Sequence, residues 1–493
     1  MFFLAPCMNP TIFPILLVVF YAIWQSGDRM DGCCPSWNWE RRHALLNADS
    51  TVRPASLTNI TECVQFASAH NKRITVLGSG HSWADITVPA DKKNGRGSTD
   101  GSSTGTSNSA VSNGSIVLCM RCYSGLVGVD RDKKQVTVLG GTTLAQLITI
   151  LDEYDLALDI FPSVNEQTIA GAISSGTHGT GVTHGNMATL VQSIELVTAD
   201  GTVLTASRSS NADVLYGATI GMGLFGIITK VTLQATEKFN VYEKKILISS
   251  DELYANLEGI VGSAEYVKLW HNEGTGQVCV FTSSRTTEPV RDNRNRVVQD
   301  IGLRIFEGLI YLVSFYPRSA KPVMYFLIHY LDALKVGERV STWHDVFNIP
   351  HHIPVHPETE YAVPLANATA ALRFVAQLVE EKEIGTNYIS ETRFVGADEF
   401  WLSNDYGTPT CHITLLLYNQ EDVFQSYMQA VSDGLVTMGA RPHWGKMSKM
   451  TEATLKHLYP KWDDFVALKR RLDPSGRFCN SQAQQAFDES NIC

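Results

Sequence analysis

Two spacings of apolar residues, one near 3.6 and one near 2, run through the chain and divide it into elements. The segment SLTNITECVQFASAHN (56–71) has helical spacing, with an N-cap near Ser56 or Thr58 and Glu62 expected in its first turn. It leads into the apolar run Arg73–Leu77, read as a strand that stops at Gly78-Ser79-Gly80. A helix, a buried strand and a glycine turn in succession make an α/β signature. A strand at Gln135–Leu139 and a helix at Thr143–Tyr154 are predicted next, then a glycine-dense stretch, Ala170–Gly185. Ser193–Thr198 and Gly226–Gln234 read as strands on either side of a helix begun by Ser209-Ser210-Asn211. A second domain is expected after residue 237, opening with a strand over Val241–Ile248 and a helix from Asp251. Within it Tyr388–Val395 reads as a strand, which sets residues 391 and 393 on one face.

Three segments depart from this pattern. Thr11–Trp24 carries no charge, yet is short of the roughly 20 residues that span a bilayer. Residues 1–30 therefore read as a signal peptide or signal anchor, although no Lys or Arg precedes the apolar run. Residues 91–115 are Gly/Ser/Thr/Asn-rich and cannot bury apolar area that offsets ordering, so a flexible surface insertion is expected. Ile301–Leu331 is apolar and aromatic but split by Pro317 and Arg318, which suggests a helix hairpin lying on a membrane surface or simply buried. The domains are then 45–237, 238–440 and a C-terminal segment, 441–493.

Composition narrows the function. With 44% apolar and 18% charged residues in 493, the chain is globular and long enough for several domains. A formal charge of −10 argues against a nucleic-acid partner, because no basic excess exists to displace counterions. It leaves room for a local cationic pocket that binds a small anion. Of the ten cysteines only Cys119-x-x-Cys122 has redox or zinc-like spacing; with no second pair, two residues near a strand end is the simpler reading. Sequons at Asn59, Asn113 and Asn367 are compatible with a lumenal protein. His344, His351, His352 and His356 fall in a Pro-interrupted loop without metal-ligand spacing, so no metal is expected.

Glycine motifs carry the chemistry. Gly221-Met222-Gly223-Leu224-Phe225-Gly226 matches the dinucleotide pattern by letter, but a helix precedes it and a strand follows, the reverse of what phosphate binding needs. A tight helix-to-strand turn explains it better. Gly78-Ser79-Gly80-His81-Ser82 can bunch backbone N–H groups around a pyrophosphate. Ser163-Val164-Asn165-Glu166-Gln167-Thr168-Ile169-Ala170-Gly171-Ala172-Ile173-Ser174-Ser175-Gly176-Thr177-His178-Gly179-Thr180-Gly181 places small and hydroxylic residues where an extended cofactor could lie against backbone.

Gly-x-Gly-His-Ser followed by Ala-Gly-x-Ile-x-x-Gly-Thr-His-Gly-Thr-Gly resembles the vanillyl-alcohol-oxidase type of FAD-binding domain. Arg441-Pro442-His443-Trp444-Gly445-Lys446 narrows the resemblance to the sugar-lactone oxidase branch, L-gulonolactone oxidases included. The likeness spans roughly residues 33 to 482 and takes in Cys33-Cys34-Pro35 and Leu472-Asp473-Pro474-Ser475-Gly476-Arg477-Phe478. It implies an α+β protein in which a two-subdomain FAD-binding domain (45–237) is covered by an α+β substrate, or cap, domain (238–440).

By that resemblance His81 is bonded to the flavin 8α carbon, and Gly78, Ser79, Gly80 and Ser82 surround it. Ser175, Gly176, Thr177 and His178 match positions that touch FAD phosphate and ribose, with Ser163, Thr168 and Gly171 just before them. Ile227 matches a residue whose backbone meets the adenine. A Glu-x-Arg pair on one strand face is ordinarily an ion pair, but the matching Glu391 and Arg393 line the substrate pocket in the family. Arg393 is expected to stabilise negative charge, Glu391 to bind sugar hydroxyls, and Lys446 to act as base or electrostatic group near flavin and substrate. Ser163 and His443 are further substrate contacts; a structural hydrogen bond is an equal reading for His443. Pro162 stands where Gly or Pro goes with oxygen use in the wider family. The expected reaction oxidises an aldono-1,4-lactone to ascorbate or an analogue while O2 becomes H2O2. A dehydrogenase with another acceptor and an alditol oxidase remain as alternatives. The expected place is the lumenal side of the endoplasmic-reticulum membrane, or outside the cell.

Overall fold

The computed structural model describes residues 30–31, 34–35, 51–90, 115–292, 296–333, 337–348 and 356–493. The expected leader, residues 1–29 of it, and positions 91–114 of the expected insertion lie outside these residues.

After a two-residue pairing of Met30–Asp31 with Cys34–Pro35 comes a small three-stranded sheet: β1 (Thr51–Val52), β2 (Arg73–Leu77) and β3 (Ser115–Cys119), in the order β1-β3-β2 and all parallel. Helix α1 (Leu57–Ala69) connects β1 to β2, and the Ser56 hydroxyl caps it by accepting from the Asn59 N–H. Glu62 falls beyond the first turn, which holds no acidic residue.

The second sheet is antiparallel: β4 (Leu126–Asp130), β5 (Gln135–Leu139), β6 (Val191–Val197), β7 (Val203–Ser207) and β8 (Ile227–Gln234), in the order β7-β6-β8-β5-β4. Helix α2 (Leu144–Glu153) begins with a Thr143/Gln146 capping box, and α3 (Ile169–Ser174) is capped by Thr168. The glycine pattern at 221–226 joins α4 (Ala212–Ala218) to β8, the helix-to-strand turn that its context required.

An eight-stranded sheet builds the second domain. Its strands are β9 (Asn240–Ser249), β10 (Tyr266–Asn272), β11 (Gln277–Thr286), β12 (Glu338–Thr342), β13 (Glu358–Pro364), β14 (Ser390–Val395), β15 (Thr410–Leu416) and β16 (Arg441–Pro442), in the order β12-β9-β11-β10-β14-β15-β13-β16. Val267 and Leu269, Val278 and Val280, Phe394, and Ile413 and Leu415 turn to one face, where helices 368–381 and 421–436 bury them. The period-2 alternation then sends Lys268, Trp270, Phe281, Glu391, Arg393 and Thr414 to the other face. That face looks onto the cavity described below.

The aromatic stretch forms two helices, α5 (Arg296–Ser314) and α6 (Ala320–Ala333), broken at Pro317 by a single 3₁₀ turn. Among the described residues no helix is long and apolar enough to cross a membrane. After β16 the chain returns to the first domain, where Leu455, Trp462, Phe465 and Phe487 complete its core. The C-x-x-C cysteines do not pair with each other: Cys119 bonds Cys34, and Cys122 is in a separate disulfide. Cys479 and Cys493 pair near the C-terminus.

Candidate active site

A cavity of about 950 Å³ lies between the glycine segments of the first domain and the open face of the eight-stranded sheet. It is mainly apolar, with polar groups converging at a few places, the usual make-up of a cofactor-and-substrate cleft.

The first wall is backbone and small side chains. Gly78, Ser79, Gly80, His81 and Ser82 follow β2 onto it, with Gly80 at φ +69°. A Cβ on Gly78 would stand 2.4 Å from the Thr168 hydroxyl, so only glycine lets this loop touch the start of α3. The His81 Nε2 lies 3.0 Å from a Glu166 carboxylate oxygen. Ser163, Thr168, Gly171, Ser175, Thr177 and His178 all reach the same cavity, as does Pro162. Two expected contacts do not line it. Gly176 holds a turn at φ +74°, and the Ile227 side chain is buried beside Ile60 and Phe478 while its neighbours Gly226 and Ile228 form the wall.

The segment after His178 stitches the two domains together. The Gly181 N–H donates to Phe394 O, and the Phe394 N–H donates to the Thr180 hydroxyl at 3.2 Å. That seam sets the His178 carbonyl against β14, where an Arg393 N–H donates to it at 3.3 Å. A second Arg393 nitrogen donates to Ser163 Oγ at 2.6 Å and to Glu391. The Trp270 indole donates to the other Glu391 oxygen at 3.1 Å. Burial pushes the Glu391 carboxyl up, but Arg393 and Lys268 outweigh it and hold Glu391 below its usual range. Burial likewise opposes the Arg393 charge, and Glu391 overcomes it. The pair is thus ionised at neutral pH, planar and fixed.

The C-terminal return supplies the third wall. The His443 and Lys446 side chains enter the cavity because β16 pairs with β13 and the Met447 N–H donates to Glu358 O. Lys446 Nζ donates to Glu358 Oε1 at 2.6 Å and stands 3.7 Å from the Trp83 ring centroid. Burial pushes Glu358 up, yet Lys446 and His356 draw it below the ordinary value. His443 accepts from the Gly445 N–H at Nδ1, and burial pushes its pKa down to about 3, so it is neutral.

Sequence reasoning missed the charges behind this wall. Glu360 Oε1 meets His178 Nε2 at 2.6 Å and His412 Nδ1 at 2.8 Å, and His412 Nε2 meets Asp405 Oδ1 at 2.7 Å. Two carboxylates flanking one ring require both nitrogens to donate, so His412 is a cation. Burial alone would lower its pKa; Asp405 and Glu360 raise it to about 9. His178, Glu360 and His443 approach within 4.8 Å, and these hydrogen bonds account for it. The alternation E-T-E-Y in β13 was the available signal, since it puts Glu358 and Glu360 on one face.

A glycine-walled cleft facing a fixed acid–base pair across a domain seam is the arrangement of a flavin-dependent oxidoreductase. Residues 87–207 match the FAD binding domain family, so FAD is its cofactor. Residues 231–486 match the D-arabinono-1,4-lactone oxidase family, and the chain belongs to that family. It is 30% identical to the L-gulonolactone oxidase of Bos taurus over 94% of this chain and 98% of the relative. It is 28% identical to the L-gulono-1,4-lactone dehydrogenase of Mycobacterium tuberculosis H37Rv over 92% and 99%. The fold is that of Brevibacterium sterolicum cholesterol oxidase, with a TM-score of 0.73, 17% identity, and 91% and 96% of the two chains covered.

Proposed function

We propose that this enzyme oxidises an aldono-1,4-lactone of the L-gulono type to ascorbate or an analogue, passes the electrons to O2 as H2O2, and carries its FAD bonded to His81. The supporting observation is the Arg393–Glu391 pair held across the domain seam, opposite the His81 loop and beside Lys446. Bound FAD supplies the hydride acceptor. Arg393 presents a planar cation to the substrate oxygen that becomes negative, and Ser163 and Glu391 fix that cation in place. Glu391 offers acceptor lone pairs to sugar hydroxyls. Lys446, which stacks on the Trp83 ring and donates to Glu358, would place its positive charge beside the bound cofactor and substrate. His443 is neutral and able to accept a hydrogen bond from substrate.

Oxygen uptake by the purified enzyme with L-gulono-1,4-lactone tests the acceptor. Stoichiometric H2O2 is expected; rapid lactone-dependent dye reduction without oxygen uptake would make it a dehydrogenase, like the mycobacterial relative. Fluorescence of the acid-denatured gel band tests the linkage: the band should carry flavin, and His81→Ala should not. A wild-type band without flavin refutes the bond.

The hairpin supports a peripheral seat on a membrane, in keeping with a lumenal endoplasmic-reticulum enzyme. Leu312, Phe315, Tyr316, Tyr325 and Phe326 are exposed there beside Arg318 and Lys321. Flotation with anionic vesicles, lost in Phe315→Ser/Phe326→Ser, is the check.

A further inference from the structure

One register row of the large sheet runs Lys245–Phe281–Lys268–Arg393–His412 across β9, β11, β10, β14 and β15. Residues directly opposite on neighbouring strands project from the same face, so four of these five side chains bring positive charge to one side of the sheet. Like charges so placed repel unless something answers them. Arg393 is answered by Glu391, and His412 by Glu360 and Asp405. Lys268 is different. It is 9% exposed and lines the cavity, and no described residue offers its Nζ a hydrogen-bond acceptor or a carboxylate within salt-bridge distance. Its ammonium lies 5.5 Å from the Trp270 ring centroid and 5.0 Å from that of Phe281, with Lys245 5.6 Å from the same Phe281 ring. The nearby carboxylates are engaged elsewhere and lie beyond salt-bridge distance of Lys268: Glu243 gives one oxygen to Arg339 at 2.6 Å, and Glu391 pairs with Arg393. Burial lowers the Lys268 pKa, and the guanidinium groups of Arg339 and Arg393 add to this against the pull of Glu243 and Glu391. A buried ammonium without an anion is costly, and a ligand that brings one recovers that cost.

We propose that Lys268, flanked by Lys245, is a carboxylate subsite, and that the cavity binds open-chain polyhydroxy acids with their carboxylate on Lys268 and their hydroxyls on Glu391. This rests on the reading of Glu391 as the sugar-hydroxyl contact. Neighbouring strands stand about 4.8 Å apart, so one six-carbon chain spans both residues. A lactone and its hydrolysed acid would then compete for the same cavity, the acid being selected by a group that a neutral ring leaves unused.

The test mixes flavin-loaded enzyme rapidly with D-gluconate or with D-glucitol, which differ only in carboxylate against CH2OH, and reads the flavin absorbance perturbation before any reduction. Gluconate should bind at least tenfold more tightly than glucitol. Lys268→Met should weaken gluconate tenfold or more and glucitol less than threefold, and Lys268→Arg should keep most of the preference. Equal binding of the two ligands by the wild type overturns the proposal whether or not the methionine variant folds, as does an equal loss of both in Lys268→Met. If no lactone ever bleaches the flavin, the lactone reading fails separately, and the gluconate-to-glucitol ratio still decides the subsite.

Discussion

Replacing Arg393 by methionine should separate catalysis from stability at this site. The wild-type guanidinium makes three contacts: Ser163 Oγ at 2.6 Å, His178 O at 3.3 Å, and the Glu391 carboxylate. Methionine fills similar volume but offers no donor to developing negative charge. Loss of one such donor elsewhere costs roughly 2.7–4 kcal/mol, or 10²–10³ in the chemical step. Lysine keeps the charge but has no fork that reaches both the first domain and β14, so Arg393→Lys should still lose about tenfold to a hundredfold. The assay is anaerobic stopped-flow reduction of the flavin by lactone, which separates the limiting rate from the apparent dissociation constant. The same change strands Glu391, 14% exposed at its side chain, as an unpaired buried charge, at a cost of about 3–5 kcal/mol in stability. Arg393→Met/Glu391→Gln removes both charges and should recover most of that stability without recovering the rate. A single methionine variant that reduces its flavin within threefold of wild type would refute the catalytic assignment. A double variant no more stable than Arg393→Met would refute the electrostatic one.

Three further outcomes follow from the geometry. Gly78→Ala should cost about 1–3 kcal/mol by overpacking against the Thr168 hydroxyl, and Thr168→Ala about 1 kcal/mol by removing the α3 cap. Denaturation of the double variant should then show a loss smaller than the sum, and strict additivity would mean that the two segments do not touch. The His412 pKa is raised from 6.5 to about 9, so its share of stability, about 3 kcal/mol, is fully present below pH 6.5 and disappears as pH rises through 9. Melting temperature should therefore fall across that window in wild type and stay flatter in His412→Asn; an equal slope in both argues against the ion triad. Cys479→Ala/Cys493→Ala opens a loop with a sequence separation of 14 and should cost about 3 kcal/mol in chemical denaturation, against no change if the bond is absent in the folded enzyme.

What the sequence revealed of this molecule depended on how far each signal reached. Gly78–Ser82 and Ser163–Gly181 drew notice through a local requirement, glycine where a loop approaches another backbone, and became a cofactor site through their joint resemblance to the FAD-binding domain. Strand period put Glu391 and Arg393 on one face, and the resemblance to the lactone oxidase branch turned an ordinary ion pair into a pocket candidate. Even the negative judgement on Gly221–Gly226 was local, since it rested on which element came first. Glu358 and Glu360 shared a face by the same period and were passed over, whereas His412 and Lys268 were not legible for the converse reason. Each sits in a strand whose alternation is ordinary, and its meaning lies in the register: Lys268 opposite Arg393, and Arg393 opposite His412. Register across β10, β14 and β15 joins positions 268, 393 and 412, and no window of sequence contains them together. Once that register is known, the charges can be counted. Arg339 with Glu243, Arg393 with Glu391, Lys446 with Glu358, and His412 with Glu360 and Asp405 all close, whereas no described carboxylate lies within salt-bridge distance of Lys268, which faces the cavity. The desolvated ammonium at 268 is the feature that the carboxylate subsite proposed above accounts for.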